Sequence, residues 1–591
     1  MISMIRGRAR DMLTVFMRLN RRWRMLTVRK LLYLPRILTG REKRLFVFLA
    51  LTALLSGIAV LGRAYAALTR PVPQVGGAYT EGIMGSPQTI NPIYAVTDAD
   101  RDLARLMFSG LFTYNGSGAL QPDLAERYEI SKDGKTYTVV LREGTIWHDG
   151  ELLTTDDVVF TIKRIQNAQY KSPLRLNWQG VDTEKVDART VRFTLRTAYA
   201  PFVENLTQGI IPRHLWEPVE PEQALLHTLN LNPVGSGPYR LKRFKHDDTG
   251  SLLWYTVARN PRFHREGPYL KEITLMFFKS EEEMVAAWRR GDIEGFGPVS
   301  ASRANALNAD AARVASLATP RVFSVFFNER QAPALADKKI RVALSHAVDR
   351  ERIAEQATTG GGIAITSLLP LHSAPAGETT TGVPYDPARA RELIAAAGWK
   401  DTDGDGIFDK TVKDKKKTET VSLEFRLSTG DSPELARAAS LLQEMFAAAG
   451  VRIIIDALPF PNLESRVIRP RNFQMLLFGQ VYGYEPDPFA FWHSSQIKDP
   501  GLNIAFFASK RADRLLEDAR RSTDAEKRAA SLGEFSRIAA EVLPAIPLYT
   551  QLYLYVLPRD MEGASFSRIS LPADRFNGVE RWYRKTKRVF F

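Results

Sequence analysis

The chain has 591 residues, 45% of them apolar, which is enough to bury more than one core and too long for one ordinary domain. It contains no cysteine, which excludes disulfides, thiolate metal sites, a cysteine nucleophile and a lipid-modified N-terminal cysteine. The net charge of +15 is not a nucleic-acid signal: residues 1–44 hold thirteen Arg and Lys against Asp11 and Glu42, so eleven of the charges sit in an N-terminal arm and the body is nearly neutral.

In that arm Arg and Lys interleave with Met12, Val15, Phe16, Leu19, Trp23, Leu26 and Leu31, a pattern that suits either a helix lying on anionic lipid or a solvated tail. Residues 45–62 (LFVFLALTALLSGIAVLG) carry no charge. As a helix they would reach roughly 27 Å, close to the ~30 Å of a bilayer core. The basic arm then places the N-terminus in the cytoplasm and the body outside. Ala64-Tyr65-Ala66 resembles a signal-peptide cleavage site, but a 44-residue basic region before it favours an uncleaved anchor. Pro71 and Pro73 mark a short stalk over 63–75.

The stretch EISKDGKTYTVVLREGTIWHDG (129–150) predicts a β-hairpin turning at Asp133-Gly134, with Tyr137, Val139 and Leu141 on one face. A helix follows, capped by Thr154 with Asp157 three residues on and buried through Val158, Ile162 and Ile165. His148-Asp149 then falls in the connector between them, where a turn and a catalytic dyad are both open. Farther on, VSLEFRLS (421–428), a helix opened by Ser432-Pro433-Glu434 and ended by Gly450, and VRIIIDAL predict a parallel βαβ unit. KKIRVALSHAVDRERIAEQA and DPARARELIAAAGW add helices, and the Lys413–Lys417 run reads as an exposed turn between two strands. The body is mixed α/β.

No local catalytic motif is present: the eight His form no HExxH and no pair at metal-ligand spacing, and there is no GxSxG elbow or P-loop, which leaves only a triad scattered along the sequence. DTDGDGIFDK places Asp401, Asp403, Asp405 and Asp409 around Gly404 and Gly406, a loop of the kind that wraps carboxylates around a structural Ca²⁺. Val412 stands where the bidentate Glu of a full EF-hand belongs, so a surface turn without metal is the simpler reading. No other cofactor is expected.

Six collinear segments carry a family resemblance: GGAYTEGIMGSPQTINPIYA (76–95), LQPDLAERYEISKDGKTYTVVLREGTIWHDGELLTTDDVVFTIKR (120–164), PVGSGPYRL (233–241), NPRFHREGPYLKEI (260–273), RVALSHAVDRERI (341–353) and LPAIPLYTQLYLYV (543–556). The chain resembles a family 5 extracellular solute-binding protein, the peptide- and nickel-binding group that serves ABC importers. The resemblance implies a two-lobed periplasmic-binding-protein-like fold with three domains, the extra one in the first lobe. Domain I would take 76–118, 232–320 and 543–591; domain II, 119–231; domain III, 321–542.

It further implies a monomer that captures an oligopeptide or similar polar solute between its lobes, without chemistry, and passes it to an ABC permease and its ATPase. An anchored extracellular hydrolase and a peptide-binding receptor or chaperone without transport are the alternatives. For the cleft it points to Gly85, Ser86 and Tyr94 in the first lobe, and to Gln480, Tyr482, Tyr484, Asp487 and Trp492 in FGQVYGYEPDPFAFWHSSQ (478–496). In one respect the sequence departs from the family. Peptide binders usually carry an Asp three residues before the Asp-Pro pair, opposite the peptide's α-amino group, and here that position is Tyr484.

Overall fold

The computed structural model describes residues 39–307, 312–371, 382–414 and 417–590, so the basic arm up to residue 38 lies outside the described residues. The described residues form two units, one of 39–73 with 586–590 and one lying between 74 and 585.

In the first unit an α-helix, Gly40–Leu68, starts at Thr39, whose backbone N–H donates to Glu42 Oε2 at 2.9 Å in a capping box. None of its residues is buried, and it is long and apolar enough to cross a membrane. It overruns the expected 45–62 at both ends. The expected irregular stalk is instead the helix's last turn followed by a strand, Thr69–Gln74, paired with the C-terminal strand Lys585–Phe590. Two prolines do not prevent this, because a strand with one partner has a free edge where no backbone N–H is needed.

The larger unit is built on a mixed sheet. Its strand order is Arg452–Leu458, Glu424–Gly430, Met475–Val481, Arg321–Phe327, Ala545–Pro558, Gly295–Gly297, Ala78–Met84, Glu272–Phe278, Leu252–Arg259, Tyr239–His246. Ala545–Pro558 belongs to both halves. Its first half pairs with Arg321–Phe327 (Phe326 opposite Ala545, Phe323 opposite Tyr549), its second with Ala312–Ala318 (Ala318 opposite Leu552, Ala312 opposite Pro558). The hydrophobic cores divide at the same place. One pair of cores holds residues between Tyr79 and Leu317 together with Tyr553–Trp582; the other holds residues between Val322 and Tyr549. Along the strand, burial relaxes only at Gln551 and Leu552. Two lobes therefore meet where the chain crosses at 318–321 and 550–552. The second crossing lies inside a strand, several residues past the expected boundary at 543.

The expected hairpin is Ala125–Ile130 with Thr136–Leu141, in an antiparallel sheet completed by Thr190–Leu195 and Val181–Lys185. Helix Thr155–Gln166 packs on it, with Thr154 and Asp157 forming the capping box. Tyr137, Val139 and Phe193 share one core with Tyr79 and Leu103, so this region enlarges the first lobe. The βαβ unit is also present: Glu424–Gly430 lies parallel to Arg452–Leu458 across helix Pro433–Ala448. Its first strand begins later than expected because the chain before it makes a separate hairpin, Asp409–Asp414 with Lys417–Ser422. The segment 338–357 is two helices, Lys338–His346 and Arg350–Ala357, the second restarted by Asp349 as its N-cap.

Candidate binding site between the lobes

The strand Met475–Val481 ends at the lobe boundary, and the loop that follows, Tyr482–Pro488, reaches across it. Tyr484 is the centre of the contact. Its ring stacks on Tyr114 of the first lobe with centroids 3.8 Å apart and planes at 11°. Its hydroxyl donates to the Arg568 carbonyl at 2.9 Å and accepts from Asn577 Nδ2 at 3.3 Å, while the Arg568 guanidinium lies 5.1 Å from the ring centre. Burial pushes the Tyr484 hydroxyl pKa well up, so it stays a neutral donor.

Glu204, on the short helix Phe202–Asn205 of the first lobe, faces the same loop. Its Oε1 accepts from the Tyr114 hydroxyl at 3.1 Å and from the backbone N–H of Glu485 in the opposite lobe. Burial raises the Glu204 carboxyl to about 7, against the donated hydrogen bonds that favour its charged form. The Glu485 side chain turns elsewhere, to Arg528 at 3.1 Å and Arg568 at 3.7 Å. A second bridge joins the lobes: Ala200 N–H donates to the Arg520 carbonyl at 2.8 Å, and the Arg520 guanidinium lies 4.9 Å from the Tyr199 ring centre and 4.4 Å from that of Phe489.

Two spaces adjoin these contacts. A gap of about 20 Å³ between the crossing strands and the loop is lined by Thr319, Pro320, Leu371, Gly483, Tyr484 and Arg568. An open groove of about 810 Å³ runs between Tyr199, Glu204 and Asn205 on one side and Phe489, Glu517 and Arg520 on the other. With centroids 3.8 Å apart, the Tyr484 and Tyr114 rings leave no room for a solute between them, and the crossing strands lie beside them. At those strands Thr550 Oγ1 donates to the Thr319 carbonyl at 2.8 Å and Thr319 Oγ1 to the Gln551 carbonyl at 3.0 Å.

The other expected cleft residues are dispersed. Asp487 braces the loop, accepting from Phe489 N–H at 3.3 Å and pairing with Arg520 at 3.1 Å. Tyr482 and Trp492 are corrections: both are buried in a second-lobe core, where Trp492 Nε1 donates to the Tyr482 hydroxyl at 3.0 Å and Tyr482 donates to the Leu368 carbonyl at 3.0 Å. The short helix Phe489–Trp492 turns the indole inward against Phe326, Phe507 and Phe535. Gln480 is also interior, its Oε1 accepting from Tyr482. Gly85 and Ser86 close the end of strand Ala78–Met84, with Ser86 Oγ 3.4 Å from the Leu252 carbonyl, and make none of the interlobe contacts above. Tyr94 is buried inside the first lobe, and burial pushes its hydroxyl up to about 12.

Glu204, Tyr114, Arg568 and Asn577 were not foreseen, because nothing local in sequence links them to residue 484. His148 and Asp149 diverge: His148 Nε2 meets the Gly237 carbonyl at 3.1 Å and its Nδ1 accepts from Gly235 N–H at 3.2 Å, whereas Asp149 pairs with His214 at 2.8 Å. Burial lowers His148 to about 4, leaving it a neutral strut. Gly235 is needed there, since a Cβ would lie 1.9 Å from the Met107 carbonyl oxygen. In the Asp loop, Asp401, Asp403 and Asp405 bring carboxylate oxygens within 4.8 Å of one another. Asp409 does not join them: it is buried and bonded to Thr402.

Two α/β lobes joined by crossing strands, with aromatic and carboxylate groups meeting between them, define a two-lobed solute-binding protein. The chain belongs to the bacterial extracellular solute-binding proteins, family 5, whose middle region matches residues 119–500. It is 28% identical over 520 residues to the oligopeptide-binding protein AppA of Bacillus subtilis, covering 86% of this chain and 92% of that one. The solved structure of that protein in complex with a nonapeptide superposes with a TM-score of 0.64 at 26% identity, covering 87% of this chain and 99% of that one. The substrate-binding protein CtaP of Listeria monocytogenes gives a TM-score of 0.70 at 26% identity over 87% and 100% of the two chains. NikZ of Campylobacter jejuni, solved with Ni(L-His), gives 0.64 at 26% identity over 86% and 99%.

Proposed function

We propose that this protein captures an oligopeptide between its lobes outside the cell and hands it to an ABC permease, held at the membrane by the helix Gly40–Leu68. The observation that carries the reading is the meeting of Tyr484 and Glu485 of one lobe with Tyr114 and Glu204 of the other, in a family that includes a peptide-binding protein solved with a nonapeptide. Flat aromatic faces suit a peptide backbone and its side chains. Glu204 offers the carboxylate that position 484 does not, on the opposite lobe, so an amino terminus has a counter-charge within the contact. Binding alone is the activity: solute contacts made on both lobes select the closed arrangement.

Anchoring is favoured over cleavage by the residues beyond the helix. Arg588 Nη2 donates to the Ala66 carbonyl at 3.1 Å, which ties the Ala64–Ala66 segment into the folded C-terminal strand. Mass spectrometry of compounds that co-purify with the full chain in detergent, followed by thermal shift with each, tests the binding reading, since a ligand of the native state raises its apparent stability. Peptides that raise the melting temperature of the parent protein and not of Glu204→Gln support it. Stabilisation only by non-peptide solutes overturns the peptide assignment, and turnover of a bound compound overturns binding as the sole activity.

A further inference from the structure

The helix Gly40–Leu68 does not end in a free linker. Its exit is stitched to the C-terminal strand: Arg588 Nε donates to Thr69 Oγ1 at 2.9 Å, and Arg588 Nη2 donates to the carbonyls of Ala66 and Thr69, both at 3.1 Å. The same guanidinium lies 5.8 Å from the ring centre of Tyr65, and Tyr65 meets Phe590 edge to face at 6.1 Å. Tyr65 and Phe590 nonetheless remain exposed. The two segments themselves carry charge of one sign: residues 63–76 and 583–591 contain no Asp or Glu and hold Arg63, Arg70, Arg584, Lys585, Lys587 and Arg588, of which Arg584 is paired with Glu294 and Asp560. Arg63, Arg70 and Lys587 are exposed and form no ion pair among the described residues.

The spacing decides what this surface meets. The uncharged run stops at Gly62, so Arg63 marks the edge of a hydrocarbon layer. From Arg63 to Leu68 the helix rises only about 8 Å, comparable to the depth of a headgroup layer. Tyr65 and Phe590 then sit at the level where aromatic rings concentrate in membrane proteins, and Arg70, Lys587 and Arg588 sit at the phosphates. Basic residues at that level attract anionic lipid.

We propose that the two-stranded sheet of Thr69–Gln74 and Lys585–Phe590 is a membrane-contacting collar that binds anionic phospholipid headgroups on the outer face of the bilayer. The C-terminal strand is thereby a second, reversible membrane contact beside the helix. The inference rests on the anchoring reading above, and one experiment separates the two. Because the chain has no cysteine, Thr586→Cys places a single nitroxide on the collar of the full-length protein. The protein is reconstituted in nanodiscs of phosphatidylcholine with or without one-quarter phosphatidylglycerol, and the label's collision rate with a water-soluble nickel chelate is measured.

The collar predicts at least about a twofold lower collision rate in the anionic discs than in the neutral ones. It also predicts that Arg70→Glu with Lys587→Glu, which leaves the Arg588 contacts in place, abolishes the difference while circular dichroism is unchanged. Equal rates in both lipids, or a difference that survives the charge reversal, overturns the collar while leaving the anchor intact. Extraction of the protein from vesicles by alkaline carbonate overturns the anchor and the collar together.

Discussion

Glu204 is a carboxylate whose nearest donors, the Tyr114 hydroxyl and the Glu485 N–H, are neutral; Arg568 and the Glu485 carboxylate act on it from farther away. Enclosure by the opposite lobe raises it to about 7 from an ordinary value of 4.5. The contacted arrangement therefore binds a proton more readily than a separated one. Its contribution to closure is complete below the ordinary value and is lost as pH rises through about 7. Small-angle scattering of the protein without added solute should show the radius of gyration growing over that interval, and Glu204→Gln should stay compact throughout. A second residue-scale expectation concerns Arg575, buried against Glu81 at 2.7 Å and Asp102 at 2.6 Å. Burial raises Asp102 to about 6 even with Arg575 opposing it. Arg575→Met strands both acids and should cost about 3–5 kcal/mol, read from the urea midpoint. A loss below about 1 kcal/mol would mean that the acids find other partners. Neither Glu204 nor Arg575 was legible in the sequence, because their partners lie far along the chain and only the fold joins them.

Elements whose signals are local were legible. The hairpin at Asp133-Gly134, the Thr154–Asp157 capping box and the parallel βαβ unit each follow from turn residues, caps and apolar spacing within a short window. The aromatic run after Gln480 was not, since a run of rings does not say which face the chain will turn inward, and Tyr482 and Trp492 went to the core while Tyr484 went to the boundary. The Asp loop is a case where local pattern leaves two readings. Asp401 already accepts from Gly404 and Gly406 N–H at 2.8 and 3.1 Å, and Asp405 pairs with Arg452 at 2.7 Å. These bonds make the loop a self-sufficient turn, so calcium titration should leave the melting temperature unchanged. A saturable rise abolished by Asp403→Asn would place a cation there.

For the whole molecule, six collinear segments made the two-lobed family legible in the sequence, whereas the arrangement of the lobes was not, because it depends on one strand, Ala545–Pro558, serving both halves of the sheet. On the function proposed above, a solute is gripped by relative movement of the lobes about that strand. The absence of cysteine allows spin labels at Glu222→Cys in the first lobe and Lys498→Cys in the second, both exposed positions. The distance distribution between them, recorded by double electron–electron resonance on the full chain while an oligopeptide mixture is titrated, tests it directly. Lobe closure on peptide gives a saturable change in the distribution at neutral pH, weakened by Glu204→Gln. Peptide binding with an unchanged distribution would contradict it.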